Sequence, residues 1–338
     1  MAEYAEPNSA RALASGNGRG NSVNQPDYDY IVEEMRAGCV IPFLGAGASV
    51  FHRSGNGKGE GEQDPLASPP TAKELADYFA EIGEFPPDAP REKRSNLPLV
   101  ASYYGLVHRD EDALRRQMRQ KFWPQFRPNE LHTLLRDIAK EGNRLLIVTT
   151  NYDDMIEAAF REENVPFHLV VTNISAIEKA GTVQYRGPFE KHISYVSPRK
   201  PISLEEASII YKMHGSINRD DRESDGYVIM EEHYVRFLGG FPAGQLYVPS
   251  ALAALMKKKH FLFLGYSLQD WNLRVMLDTV SQLDSVSRRK KSWAIQADPD
   301  LVERNLWEKK SVDVYGADLR DFVRDLRAYY FDGVPRRT

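Results

Sequence analysis

The stretch Cys39-Val40-Ile41-Pro42-Phe43-Leu44-Gly45-Ala46-Gly47-Ala48-Ser49 decides how this chain is read. Cys39 to Leu44 is a short continuous apolar run, the pattern of a strand buried on both faces. Glycines follow at 45 and 47. Without a Cβ they permit a tight turn and let backbone N–H groups approach a phosphate. The third glycine of a G-x-G-x-x-G loop would stand at position 50, which is Val50. Nor does an acidic residue close a second strand about twenty positions later, so this is not a dehydrogenase fingerprint. Taken alone, the loop fits either a phosphorylated ligand or a plain strand–helix turn.

The alternation continues outward from this stretch. Tyr28, Ile31, Val32 and Met35 have helical spacing, and Gly38 is a plausible C-cap. Residues 52–70 are rich in Gly and Pro and read as a long loop. Thr71-Ala72-Lys73-Glu74 is a capping box. Helical patterns then run to residue 140, so 71–140 reads as a helical insertion between the first two strands. Apolar runs at 144–149, 167–171, 208–213, 260–264, 291–296 and 312–315 alternate with helical patterns at 153–163, 231–238, 249–258, 269–283, 299–308 and 319–330. Residues 173–205 form a polar excursion and 217–226 a charged turn. The expected fold is α/β: a Rossmann-like parallel sheet with helices on both faces, plus the helical insertion.

Composition narrows the function classes. The net charge is −4, so no global basic field draws in nucleic acid, and direct nucleic-acid binding is not expected. The basic runs Lys257–Lys259 and Arg288–Lys291 read as solvated faces. Apolar runs such as 260–265 are too short to span a bilayer. The single cysteine, Cys39, rules out an intrachain disulfide and any zinc site that needs several thiolates, and it fits a reducing cytosol. The histidines lack paired metal spacing, so no metal is expected. Residues 1–26 are rich in Gly, Ser, Asn, Pro and Ala with no apolar stretch of a signal peptide. They read as a disordered segment before a domain spanning 27–332, and the expected location is the cytoplasm.

Four polar or glycine clusters each follow a strand: Gly45–Ser49, Thr150–Asp153, His214-Gly215 and Gly265-Tyr266-Ser267. In open α/β sheets ligands sit at the carboxyl ends of strands, so the four would converge on one edge. Asn151 and Asp153 suit either helix capping or a ligand contact. A strand-end histidine such as His214 can be held rigidly and can take a proton near neutral pH. Gly265 allows close approach, and Ser267 can cap the next helix or bind phosphate.

The order of these clusters resembles the sirtuin superfamily. The segments IPFLGAGAS, TTNYDDMIE, KMHGSIN and LGYSLQDWNLR, with the closing VYGADLRDFVRDL, are most similar to bacterial sirtuin-like domains of antiphage defence, over about residues 28–330. The resemblance implies that Gly45, Ala46, Gly47 and Ser49 hold the pyrophosphate of NAD. It gives Asn151 the nicotinamide ribose and a water, Asp153 the carboxamide side, and His214 the role of general base. Gly265 and Ser267 would meet the phosphate–ribose portion, and Gln296 and Tyr315 the adenosine side. Thr150 stands where deacylase sirtuins carry a glutamine, and the zinc-ribbon cysteines of those enzymes are absent. The expected activity is therefore hydrolysis of NAD, as a substrate rather than a resident cofactor and without metal. The alternatives are an NAD-dependent protein deacylase or a non-catalytic subunit that binds NAD or ADP-ribose. The resemblance also implies a homo-oligomer, and gating by a defence partner such as an ATPase, an Argonaute-type protein or another sensor.

Overall fold

A computed structural model describes residues 25–50, 68–172, 182–219, 225–239, 248–266 and 291–333. The expected disordered stretch 1–26 and the expected helix 269–283 lie wholly or mostly outside these residues, as does most of the 52–70 loop.

The chain opens with α1 (Tyr28–Arg36), β1 (Val40–Leu44) and a 3-10 turn (Ala46–Ala48). Five helices follow: α2 (Ala72–Ile82), α3 (Arg91–Arg94), α4 (Leu97–His108), α5 (Glu111–Phe122) and α6 (Glu130–Lys140). Next come β2 (Leu146–Thr149), α7 (Met155–Glu162), β3 (Phe167–Thr172), β4 (Val183–Arg186), β5 (Ser194–Val196) and β6 (Ser208–Lys212). A small hairpin, β7 (Gly215–Ser216) and β8 (Gly226–Tyr227), precedes α8 (Glu231–Gly239), α9 (Ser250–Lys258) and β9 (His260–Leu264). The chain closes with β10 (Ser292–Gln296), α10 (Leu301–Glu308), β11 (Val312–Gly316) and α11 (Leu319–Phe331). The capping box at Thr71 is formed as its sequence requires, with both reciprocal bonds to Glu74 present.

The main sheet has the order β11-β10-β9-β1-β2-β6-β3-β4-β5. Every pairing from β11 to β3 is parallel. β4 and β5 extend the β3 edge antiparallel, so the described part of the polar excursion belongs to the sheet, which is mixed rather than wholly parallel. From β1 the chain passes to β2 on one side and returns through β9 on the other. The carboxyl ends of β1 and β9 thus form the topological switch point, where a crevice opens in such sheets.

Helices cover both faces. One face packs Ile31 and Met35 of α1, Leu131 and Leu135 of α6, Phe160 of α7 and Phe322 of α11 against Ile147, Ile210 and Leu262. The other packs Phe237, Leu252, Met256 and Trp307 against Phe43, Tyr211 and Phe263. A third core joins Leu75, Phe79, Val100, Tyr104, Leu114 and Met118 of α2, α4 and α5. The helical stretch 71–140 therefore divides physically. The helices before residue 123 build a cap with its own core, whereas α6 is a layer helix of the sheet. The apolar face of α6 (Leu131, Leu134, Leu135, Ile138) is what seats it there.

Candidate active site

Leu44 ends β1, and the 3-10 turn that follows is built against the loop after β9. The amide of Gly45 donates to the Leu264 carbonyl at 3.0 Å, and that of Gly47 to the Gly265 carbonyl at 2.8 Å. A Cβ on Gly45 would lie 2.5 Å from the Gly265 oxygen. One on Gly265, whose φ is +64°, would lie 2.0 Å from the Ala48 nitrogen. These glycines are required first because two backbones touch at the switch point. The N–H of Gly47 is engaged in that contact. The Ala46 amide has no hydrogen-bond partner among the described residues.

The loop after β2 is tied to the same turn. Thr149 Oγ1 donates to the Leu44 carbonyl at 3.1 Å and accepts the Asn151 amide at 3.0 Å. The Thr150 amide also reaches the Leu44 carbonyl. Asn151 Nδ2 then donates to the Gly45 carbonyl at 2.9 Å and to Ser49 Oγ at 3.0 Å. Both amide hydrogens are engaged, which fixes the orientation of the carboxamide and leaves Oδ1 as its acceptor. Ser49 Oγ passes its own hydrogen to Asp153 Oδ2 at 3.0 Å, and Asp153 Oδ1 accepts the Met155 amide at 3.1 Å. Asp153 thus both receives the first amide of α7 and ends the Asn151–Ser49–Asp153 chain. Burial pushes its carboxyl above the usual carboxylate range, against the opposing pull of Lys212, the Met155 amide and Ser49.

Tyr152 lies between these two and also lines the same cavity as they do. Its ring enters the cap core and its hydroxyl donates to the Val228 carbonyl at 2.6 Å. The loop is therefore clamped between the glycine turn and the cap.

His214 follows β6 and is buried. Its ring stands edge-on to Tyr234 and Phe237, at centroid distances of 5.4 Å and 5.7 Å. Gly215 has φ +84°, and a Cβ there would lie 1.8 Å from the Gly226 oxygen. Glycine follows the histidine because the β7–β8 hairpin closes over it. The charged turn of 217–226 is this hairpin's connection, and its described charges are engaged inward. Arg219 grips Asp154 through two 2.7 Å bonds, and Asp225 receives Arg119 at 2.6 Å.

Ala46, Gly47, Ser49, Thr150, Asn151, Asp153, His214 and Gly265 line one cavity of about 290 Å³. Gly45 stands directly behind it, supporting Asn151. Ser267 lies outside the described residues. Gln296 ends β10 but does not line the cavity; its Oε1 is buried without a partner among the described residues. Tyr315 does not line it either. Its ring is packed in the core with α1, α6 and α11, and its hydroxyl meets Asp313 at 3.3 Å. The side-chain alternation of β11 sends that ring into the core on the α1–α6–α11 face of the sheet.

Sequence reading missed the apolar wall of the cavity. Leu75, Leu97 and Phe122 reach it from the cap, with Pro69, Pro70, Tyr234 and Tyr266. Helical periodicity marks such residues only as core. It also missed Asn129, whose Nδ2 donates to the Ala48 carbonyl at 2.7 Å, and Lys212. A lysine ending the apolar run Ser208–Lys212 was the available signal for the latter.

The family pattern described as a SIR2-like domain matches residues 145–315. The chain belongs to the SIR2-like domain family. The SIR2-like chain is 22% identical over 292 residues to the Defense-associated sirtuin 2 of Bacillus subtilis, covering 85% of this chain and 24% of that protein. It is 23% identical over 192 residues to the NAD(+) hydrolase ThsA of Acinetobacter baumannii (strain 532279), covering 56% of this chain and 32% of that one. It thus spans about a quarter to a third of the length of these curated relatives. A solved structure described as Sir2 enzymes is 12% identical, with coverage of 90% of this chain and 97% of that chain and a TM-score of 0.43. Among the described residues of the SIR2-like chain, no helix is long and apolar enough to cross a membrane.

Proposed function

We propose that this chain hydrolyses NAD at the nicotinamide–ribose bond, giving nicotinamide and ADP-ribose. The observation that carries the reading is the meeting of Asn151, held rigidly by the glycine turn, and buried His214 on one small cavity. The name of the matched NAD(+) hydrolase supports the same chemistry. A volume near 290 Å³ is at the small end for ligand pockets and suits the nicotinamide riboside half of the dinucleotide.

Cleavage of the C1′–N bond sends its electron pair to the pyridinium nitrogen, so nicotinamide leaves neutral and needs no strong general acid. Positive charge grows at C1′ as in glycoside hydrolysis. Water adds to C1′ and loses one proton, for which His214 is the base. Asn151 Oδ1 is the acceptor for a ribose hydroxyl or for that water. The apolar side chains of Leu75, Leu97 and Phe122 exclude bulk solvent. The glycine turn and Gly265 meet the phosphates, with the Ala46 amide, unengaged among the described residues, as a donor. Ser267 belongs with them by its sequence position. In this reading Asp153 acts through Ser49 and Asn151.

We assign the chain to antiphage defence as an NAD-depleting effector of the cytoplasm, gated by a partner or by self-assembly. The name of the matched defence-associated sirtuin supports that setting. The decisive test follows nicotinamide release from NAD by the purified chain, alone and with the product of its genomic neighbour. Release without acyl-peptide, lost in His214→Ala and Asn151→Ala, is expected. Release only with an acyl-lysine peptide would instead make it a deacylase. Tight NAD binding with no turnover in any setting would make it a binding subunit.

A further inference from the structure

We propose that Lys212 is a positioning residue that locks the Asn151–Asp153 segment to the strand bearing His214; its activity readout rests on the hydrolase reading above. Lys212 ends β6, two residues before His214, and its side chain is completely buried. Ile210, two residues earlier, belongs to the core facing α6 and α7, and Lys212 points to the same side by strand alternation. There its ammonium donates to the backbone carbonyl of Asp153 and pairs with Glu157 Oε1 at 3.1 Å. Glu157 is itself buried, and its second oxygen has no partner among the described residues.

Packing does not require this arrangement. A buried ammonium carries a large desolvation penalty, and an apolar side chain of similar length would fill the strand end. The site is also the N-terminal turn of α7, where the helix dipole disfavours a cation. Glu157 on α7 offsets that, while the neighbouring Asp154 is already engaged by Arg219. Among the described residues, the backbone group Lys212 holds is the carbonyl of Asp153, two residues from Asn151. The carboxylate of the same Asp153 terminates the chain through Ser49 to Asn151. Lys212 therefore bridges the strand that presents His214 and the loop that presents Asn151, fixing the distance between the two groups that must act on one ribose.

The test compares the parent chain with Lys212→Met/Glu157→Gln, which removes both charges while nearly keeping shape, and with Glu157→Gln, which leaves the Asp153 contact. Thermal midpoint, NAD turnover and hydrogen exchange of amides 151–154 are measured for each. The double variant is expected to stay folded, to lose roughly 30-fold or more in kcat with KM within about threefold, and to exchange faster at 151–154 but not in α2–α5. Glu157→Gln is expected to keep kcat within about threefold. A folded double variant with parental kcat and exchange overturns the proposal. So does a Glu157→Gln loss as large as the double variant's, because the charge pair rather than the carbonyl contact would then matter. Should the double variant not fold, that second comparison is made with Lys212→Met. A parent chain that releases no nicotinamide counts against the hydrolase reading alone; the exchange pattern then decides the role of Lys212.

Discussion

The carbonyl of Gly265 accepts the amide hydrogen of Gly47 at 2.8 Å, joining the loops after β9 and β1 by direct backbone contact. No side chain fits between them. Gly265→Ala is expected to lose about 2 kcal/mol or more, combining a left-handed φ with a clash against the Ala48 nitrogen. Chemical denaturation reads the loss, and NAD affinity measured by calorimetry should fall with it. A variant of parental stability would show that the loops separate easily.

Asn151 uses both amide hydrogens on Gly45 and Ser49. Asn151→Asp keeps the shape but sets a carboxylate oxygen against the Gly45 carbonyl. Turnover is expected to fall about 100-fold or more, with a destabilisation of about 1–3 kcal/mol. Equal turnover in the aspartate variant would mean that the donor side of Asn151 has no part in holding the site.

Asn129 caps α6 through Leu131 and His132 and also donates to the Ala48 carbonyl. Asn129→Ala should therefore cost more than a simple cap, about 2–3 kcal/mol in urea titration. A loss of only about 1 kcal/mol would assign it to capping alone.

His132 is buried under Asn129, and burial, aided by the charge of Lys212, pushes its pKa down to about 3. The unfolded chain takes up that proton near pH 6.5. Between those values the unfolded state binds more protons, so stability falls on acidification by up to about 1.4 kcal/mol per pH unit. His132→Gln keeps an acceptor at the third helical position and carries no charge. Its stability should fall less than the parent's between pH 6.5 and 4, measured by urea midpoints at each pH. Identical slopes would show that His132 is already protonated in the folded chain. Asp153 acts in the opposite sense, since its raised pKa removes stability as pH climbs through it, and it is common to both chains.

Much of the fold was legible because strands buried on both faces are short apolar runs, and caps such as Thr71 announce their helices. Cys39 to Leu44 and His260 to Leu264 could be read as strands with no other knowledge. The glycine and polar clusters after them could be assigned to one sheet edge, because a parallel sheet presents all its carboxyl ends together. By that rule Asn151, His214 and Gly265 were expected together, and they line one cavity.

Linear pattern could not say what each residue touches. It left Tyr315 a candidate, whereas the alternation of β11 turns its ring into the core. It grouped α6 with the insertion, although the apolar face of α6 belongs to the sheet. It could not show that Gly45, Gly47 and Gly265 also make room for one another's backbone. The sequence by itself determined most of the elements, their alternation and the edge on which the candidate site lies, because those follow from periodicity and local turn chemistry. Only the tertiary structure decided that β9 lies beside β1 and that Lys212 sits beneath Asn151 and Asp153. Those relations depend on strand order and burial across stretches of chain far apart in sequence, which no local pattern encodes.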